Sequence, residues 1–215
     1  MSESLPDSCR HRLLDGVAQL NLELSDRALG TLLDYIALLQ KWNKAFNLTA
    51  VRDPEQMIIR HVLDSLAVLP HLDDKKLLDV GTGGGIPGII IAVCRPEIAV
   101  SLLDSNGKKT RFLQQVKVHL KLDNVEVVQS RAEDYSPPVL FDRIISRAFT
   151  ALDQMVHWCH HLLDQDGHFL AMKGTYPEPG QKDLPPGWVV KNVQPLKVPF
   201  IDEHRHLVSI TRAAQ

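Results

Sequence analysis

The sequence predicts an α/β fold, a mostly parallel seven-stranded sheet with helices on both faces, entered through a helical N-terminal extension. Three observations carry this. From Leu77 onward, short apolar runs alternate with helix-length segments, the pattern of repeated βαβ units. A glycine cluster, Gly81 to Gly88, stands between the first of these runs and the next helix. Before Leu77, apolar residues recur at helical spacing instead.

The elements follow in order. Ser25 is placed to cap a helix whose stripe is Leu29, Leu32, Leu33, Ile36 and Leu39, running towards Trp42 and broken at Asn47-Leu48-Thr49. Asp53-Pro54 reads as an N-cap with proline at the first helical position, opening a helix through Ile58, Ile59, Val62, Leu66 and Leu69 that Pro70 ends. Leu77–Val80 is the first strand, with a helix from about Ile86 to Val93 after the glycines. Ala99–Leu103 is the second strand, Lys108–Leu120 a helix, and Val125–Val128 the third strand. Phe141–Ser146 is the fourth, Ala151–Leu163 a helix, and His168–Lys173 the fifth. Val189–Val193 and His206–Thr211 close the sheet as an antiparallel pair, and Pro177–Gly187 is an exposed loop. The expected division is a helical extension over 1–72 and an α/β core over 73–215.

Composition narrows the class. The chain has 215 residues, 44% of them hydrophobic, enough to bury a sizeable core. No apolar run is long enough to span a bilayer, and the first residues lack a signal-peptide layout. Cys9, Cys94 and Cys159 are an odd number without metal-ligand spacing, so free thiols in a reducing cytoplasm are expected. The net charge is −2. A protein that coats nucleic acid is usually basic, so contact with RNA has to come from a local patch.

The most informative segment is Asp79-Val80-Gly81-Thr82-Gly83-Gly84-Gly85-Ile86-Pro87-Gly88. A glycine-rich turn between strand and helix lets a ligand approach the backbone, and its N–H groups can hold an anion such as the carboxylate of methionine. Asp104, nineteen residues after Gly85 and at the end of the next strand, can accept two hydrogen bonds from a ribose diol. A tight turn that binds nothing is the alternative, and the paired acid argues against it. Gly83 to Gly88 also satisfies G-x-G-x-x-G. A dinucleotide site is disfavoured because Pro87 removes an N–H where the phosphate-binding helix should begin, and because no second domain is left for the substrate.

Other clusters have plainer readings. His157, Cys159, His160 and His161 resemble metal ligands, but no acidic base lies between them and no remote third ligand is marked by spacing. Lys108, Lys109, Arg111, Lys117 and Lys121 on one helix, with Arg10, His11 and Arg12 near the start, are either a solvated face or a phosphate-contacting patch. The apolar stripes of the first helices are core.

Several pieces together carry a resemblance. They are Trp42-Asn43 with Asn47-Leu48-Thr49, Arg60-His61 with Asp64-Ser65-Leu66, the loop Asp79 to Gly88, and Leu103-Asp104-Ser105. Arg111-Phe112-Leu113, Ser146-Arg147-Ala148-Phe149, Lys173-Gly174 and Arg205-His206-Leu207-Val208 continue the series. In this order and spacing the chain resembles, over nearly its whole length, the bacterial glucose-inhibited division protein B family, the 16S ribosomal RNA N7-guanosine methyltransferases. The resemblance implies a Rossmann-like class I methyltransferase fold, S-adenosylmethionine as cofactor, and cofactor contacts at Gly81, Ile86, Ala132, Glu133 and Arg147. With the residue-based reading it gives Asp79, Gly81, Gly83, Gly85, Ile86, Asp104, Ala132, Glu133 and Arg147 as cofactor-binding residues. It implies a guanosine of small-subunit 16S rRNA, free or in the subunit, as substrate. A monomeric, cytoplasmic enzyme without a metal is expected.

The residues also bear on which atom is methylated. Enzymes acting on exocyclic amino groups resemble one another in an Asp/Asn-Pro-Pro-aromatic motif after the fourth strand, where this chain reads Ser146-Arg147-Ala148-Phe149. Carbon-5 methylation needs a cysteine nucleophile, and Cys94 and Cys159 fall on helices. N7 of guanine and hydroxyl oxygens remain. N7 carries a lone pair and no proton, so transfer to it requires no general base. Arg147, Lys173 and Arg205 are the catalytic-site candidates: Arg147 to orient cofactor or guanine O6, Lys173 and Arg205 to contact phosphate or guanine. A protein that binds S-adenosylmethionine or RNA and only regulates a partner is the competing class.

Overall fold

The computed structural model describes residues 5–73, 75–177 and 182–214. Helix α1 (Asp7–Gln19) turns Cys9, Leu13 and Val17 inward. The Ser25 hydroxyl accepts the Ala28 amide at 3.2 Å and starts α2 (Asp26–Phe46), satisfying one of the donors every helix start leaves over. Leu29, Leu32, Tyr35, Ile36 and Leu39 form its buried face, with Leu33 at the margin. Asn47, in the left-handed region at φ 50°, ends it.

Asp53 caps α3 (Pro54–Met57) by accepting the Gln56 amide at 2.7 Å. The expected single helix from there to Pro70 is not what forms. A π-helical stretch (Ile58–Leu63) leads into α4 (Asp64–Leu66), and Pro70 lies within a 3-10 turn (Leu69–His71). The wider π turn keeps Ile58, Ile59, Val62 and Leu63 buried while His61 and Asp64 are also drawn inside.

The seven strands are β1 (Lys76–Val80), β2 (Ala99–Asp104), β3 (Val125–Gln129), β4 (Phe141–Arg147), β5 (Leu163–Lys173), β6 (Trp188–Pro195) and β7 (His206–Arg212). Their order is β3-β2-β1-β4-β5-β7-β6, parallel except for the antiparallel pairings of β7 with β5 and β6. The order reverses between β1 and β4, which places a ligand crevice at their carboxyl ends. Helix α5 (Gly88–Cys94) follows β1, α6 (Gly107–Leu120) follows β2, and α7 (Leu152–Cys159) follows β4.

Two boundaries differ from the sequence-based expectation. Helix α5 begins at Gly88 rather than Ile86, because Gly85 and Ile86 both donate to the Thr82 carbonyl in a tight turn ahead of it. Helix α7 ends at Cys159, and after a 3-10 turn Leu163 already belongs to β5, pairing with Phe141 at the start of β4. Asp164–Asp166 are exposed there, so no apolar alternation marks this stretch as strand. Of the expected loop Pro177–Gly187, residues 178–181 lie outside the described residues.

Alternate residues of the central strands face opposite sides. Leu77 and Ile145 pack with α1, α2, the π-helical stretch, α5 and α6 in one continuous cluster. Leu78, Ile144 and Phe169 pack with α7 on the other face. The connection from β6 to β7 is strapped to the leading helices. Leu196 and Val198 are buried there, the Arg12 guanidinium stands 4.4 Å from the Phe200 ring centroid, and Arg60 pairs with Glu203 at 3.2 Å. Among the described residues no helix is long and apolar enough to cross a membrane.

One contact joins α2 to the glycine loop directly. The Tyr35 hydroxyl, fully buried, donates to the Gly84 carbonyl at 2.7 Å. Tyr35→Phe keeps the ring and strands that carbonyl, so urea unfolding should report a loss of about 1–2 kcal/mol.

Candidate functional site: a cofactor cradle beside a carboxylate-held arginine pair

The loop after β1 is fastened from two strands. Gly81 and Thr82 both donate to the Leu103 carbonyl of β2, at 2.9 and 3.2 Å. The Asp79 carboxylate, fully buried, accepts the Thr82 hydroxyl at 2.6 Å and the Gly88 amide at 2.8 Å through one oxygen. Its other oxygen, Oδ1, has no hydrogen-bond partner among the described residues. Burial pushes this carboxyl up to about 7, more than the Thr82 and Gly88 bonds lower it.

Asp104 holds the loop from the side. Its Oδ2 accepts the Gly83 amide at 3.0 Å and Lys109 Nζ at 3.3 Å, and its Oδ1 accepts the Asn106 amide at 2.9 Å. A carboxylate has about four acceptor positions. One on Oδ1 remains, and a second opens on Oδ2 if the partly exposed Lys109 swings aside, which matches the two hydroxyls of a ribose.

A cavity of about 300 Å³ opens at this end of the sheet, lined by Gly81, Asp104, Ala132, Glu133, Phe149 and Trp158 among others. Ala148, in the left-handed region at φ 52°, turns the chain after β4 so that Phe149 comes over the loop. A Cβ on Gly81 would stand 2.3 Å from Phe149 Cδ2, and Gly81 has φ +65°. Only glycine fits there. Phe149 and Trp158 meet edge to face with ring centroids 5.8 Å apart, giving the cavity an aromatic wall suited to a purine. A larger groove of about 680 Å³ lies near Ser25, Cys94 and Lys121, by the N-terminus of α2 and the C-termini of α5 and α6. None of the expected site residues lines it.

The structure thus brings together Gly81, Asp104, Ala132 and Glu133, four of the expected cofactor residues. Asp79, Gly83, Gly85 and Ile86 shape the loop without lining the cavity. Arg147 is set apart from it too. Its guanidinium donates to the Arg60 carbonyl at 2.7 Å, to Asp64 Oδ2 at 3.1 Å and to His61 Nδ1 at 3.2 Å. The buried Asp64 draws it there, and Arg205 Nε stands 3.3 Å from the other Asp64 oxygen. His61 is neutral because burial, and then Arg147, pull its pKa down to about 4. Its Nδ1 therefore accepts from Arg147, and its Nε2 faces the Thr49 hydroxyl at 2.8 Å. Lys173 Nζ donates to the Thr150 carbonyl at 2.9 Å.

The sequence reading did not single out Tyr35, Trp158 or the pairing of both arginines on Asp64. Trp158 is one aromatic on an amphipathic helix, and no spacing distinguishes it from core. The basic residues of α6 do not form one patch: Lys108 and Lys109 stand at the cavity end, Lys121 at the far groove. Among the described residues no group of three or more His, Cys, Asp and Glu is arranged to hold a metal. Burial pushes the thiols of Cys94 and Cys159 up to about 12, so neither is a nucleophile at neutral pH.

The family model GidB, described as rRNA small subunit methyltransferase G, matches residues 28–208. The chain belongs to this family. Ribosomal RNA small subunit methyltransferase G of Marinobacter nauticus is 55% identical over 94% of this chain and 94% of its own length. The protein of the same name from Erwinia tasmaniensis is 52% identical over 89% of this chain and 93% of its own. Among solved structures, a SAM-dependent methyltransferase from Aquifex aeolicus shares the fold at a TM-score of 0.52 and 16% identity, covering 72% of this chain and 92% of that one. The protein is a methyltransferase, with S-adenosylmethionine as its cofactor.

The cradle fits that group. Gly81 leaves the loop open to close approach, Asp104 retains acceptors for a diol, and the aromatic wall suits adenine. A cation bound over the loop would draw the Asp79 carboxyl towards its ionised form, so binding would favour the deprotonated protein. Affinity for S-adenosylmethionine should therefore rise with pH through about 7 and level off above it. In Asp79→Asn that pH dependence should vanish, as read by calorimetric titration from pH 6 to 8.5.

Proposed function

We propose that this enzyme transfers the methyl group of S-adenosylmethionine to N7 of one guanosine in small-subunit 16S ribosomal RNA. The observation that carries the reading is the pair of arginines at the carboxyl end of β4 and the start of β7, Arg147 hydrogen-bonded to one oxygen of Asp64 and Arg205 ion-paired 3.3 Å from the other. A guanidinium is suited to guanine, whose O6 and N7 form one acceptor edge. Donation to O6 leaves N7 exposed to the methyl donor.

When bound, the cofactor supplies a methyl group on a positively charged sulfur. The residues of the chain then have three tasks. Asp104 would take the cofactor's ribose, and the open backbone at Gly81 would leave room for it against the sheet, since the amides of Gly81–Gly83, Gly85, Ile86 and Gly88 are already bonded within the chain. Asp64 and neutral His61 hold the Arg147 guanidinium in one orientation, so little ordering is left for the reacting complex. Asp64 also offsets part of the arginine charge, which matters because positive charge passes to the purine during transfer. N7 has no proton to lose, and no side chain is asked to take one.

In A-form RNA the major-groove edge of guanine is inaccessible to side chains. The target guanosine is therefore unpaired or drawn out of its stack when it reaches Arg147 and Arg205. Lys173, on the Thr150 carbonyl after β4, is placed to meet a phosphate beside it.

Radiolabelled methyl transfer to small subunits from cells lacking the gene, followed by chain cleavage selective for N7-methylguanosine, tests this reading. One cleavage site in 16S rRNA is the expected result. Incorporation without cleavage moves the methyl to another atom. At saturating cofactor the single-turnover rate should stay flat from pH 7 to 9, whereas a tenfold rise per pH unit contradicts transfer without a base. Asp64→Asn should lower that rate roughly tenfold while leaving cofactor affinity within about twofold.

A further inference from the structure

Helix α2 runs past the cofactor loop and ends in an aromatic ladder. Leu39 Cδ1 stands 3.3 Å from where a Gly84 Cβ would be. One turn on, Trp42 packs on Phe112 of α6 with ring centroids 5.6 Å apart, and Phe46 packs on Trp42 at 5.1 Å. Phe112 is fully buried, Trp42 is half-buried, and Phe46 is 41% exposed. With a rise of about 1.5 Å per residue, Phe46 lies about 10 Å beyond the Leu39 contact, on the side where the strands end.

The ring is held in place rather than left to swing. Asn47 closes α2 directly after it. The buried Asn43 side chain donates to the carbonyls of Thr49 and Val51 and accepts the Thr49 amide at 2.9 Å, pinning the segment that follows. Arg52 folds back, donating to Asn47 Oδ1 at 2.7 Å and to the Asn43 carbonyl at 3.0 Å. Both acceptors are uncharged, so its positive charge is retained. On α6, Lys108 stands exposed one turn before Phe112, and Arg111, the residue before that ring in sequence, is exposed too. Neither they nor Arg52 has an ion-pair partner among the described residues.

We infer that Phe46, backed by Trp42 and Phe112 and with Arg52 folded onto the end of its helix, is a stacking platform for an unpaired base of the RNA substrate near the target guanosine. A single exposed phenylalanine on a protein surface is ordinary. This one continues a buried aromatic ladder into solvent, is locked at a helix end, and has the cation of Arg52 fixed at that same end, the combination of stacking face and positive charge by which single-stranded nucleic acid is held. It also answers the charge problem: a chain of net charge −2 engages RNA through stacking and a few local cations. The proposal rests on the reading of the protein as an rRNA methyltransferase.

Methyl transfer by the wild-type protein to unmethylated small subunits is measured first, and its absence overturns that reading rather than the platform alone. Given transfer, Phe46→Ala should weaken binding of the subunit roughly tenfold. Phe46→Tyr, which keeps a stacking face, should stay within about twofold, and both variants should remain folded at the assay temperature with wild-type cofactor affinity. In parallel, p-benzoylphenylalanine placed at position 46 and irradiated with the subunit should attach to 16S rRNA. Unchanged subunit binding in Phe46→Ala, an equal loss in both variants, or attachment only to a ribosomal protein overturns the platform.

Discussion

The catalytic end of this protein depends on two carboxylates that hold one loop. Asp79 reaches from β1 under Gly81–Gly88 and takes the Thr82 hydroxyl and the Gly88 amide, while Asp104 reaches from β2 and takes the Gly83 amide. Glycines give this loop freedom to adopt φ angles closed to other residues, and that freedom costs order unless something restores it. The carboxylates, the Leu103 carbonyl and the Tyr35 hydroxyl restore it. The loop is therefore both permissive in shape and fixed in position, which a site for close approach of a ligand to backbone requires.

The N-terminal helices are part of the same device. Tyr35 ties α2 to the loop, the π-helical stretch places His61 and Asp64 against Arg147, and Asp64 reaches Arg205 at the start of β7. The route from Thr49 through His61 and Arg147 to Asp64 joins the leading helices to the fourth and seventh strands. A buried, nearly complete hydrogen-bond network of this kind confers a single geometry more than it adds stability. In the proposed transfer to N7, which needs no proton transfer, geometry is what the protein contributes.

The legible parts of the sequence were those where one physical rule acts alone. Apolar periodicity marked α2 and six of the seven strands closely, Ser25 and Asp53 marked helix starts, and the spacing from Gly85 to Asp104 marked the cradle. What sequence could not carry depended on tertiary partners. Arg147 is a cofactor candidate by the family resemblance and its place at a strand end, while its partner Asp64 comes from another element that no sequence spacing marks. The π turn at Ile58–Leu63 has the same apolar spacing as an α-helix, and the polar start of β5 has no strand pattern at all. Phe46 follows Leu39 and Trp42 at helical spacing, and only its place at the end of α2 exposes it.

Central to the account is that the cofactor lies across β1 and β2 in the cavity walled by Phe149 and Trp158. The direct test is an experimental structure with S-adenosylhomocysteine bound. Its ribose hydroxyls are expected on Asp104, its adenine between Ala132 and Phe149, and its amino acid end over Gly81, with Asp64 still holding both arginines. Density for the ligand in the groove near Cys94 and Lys121, or an Asp104 carboxylate left on Lys109 with the ribose elsewhere, would contradict the account.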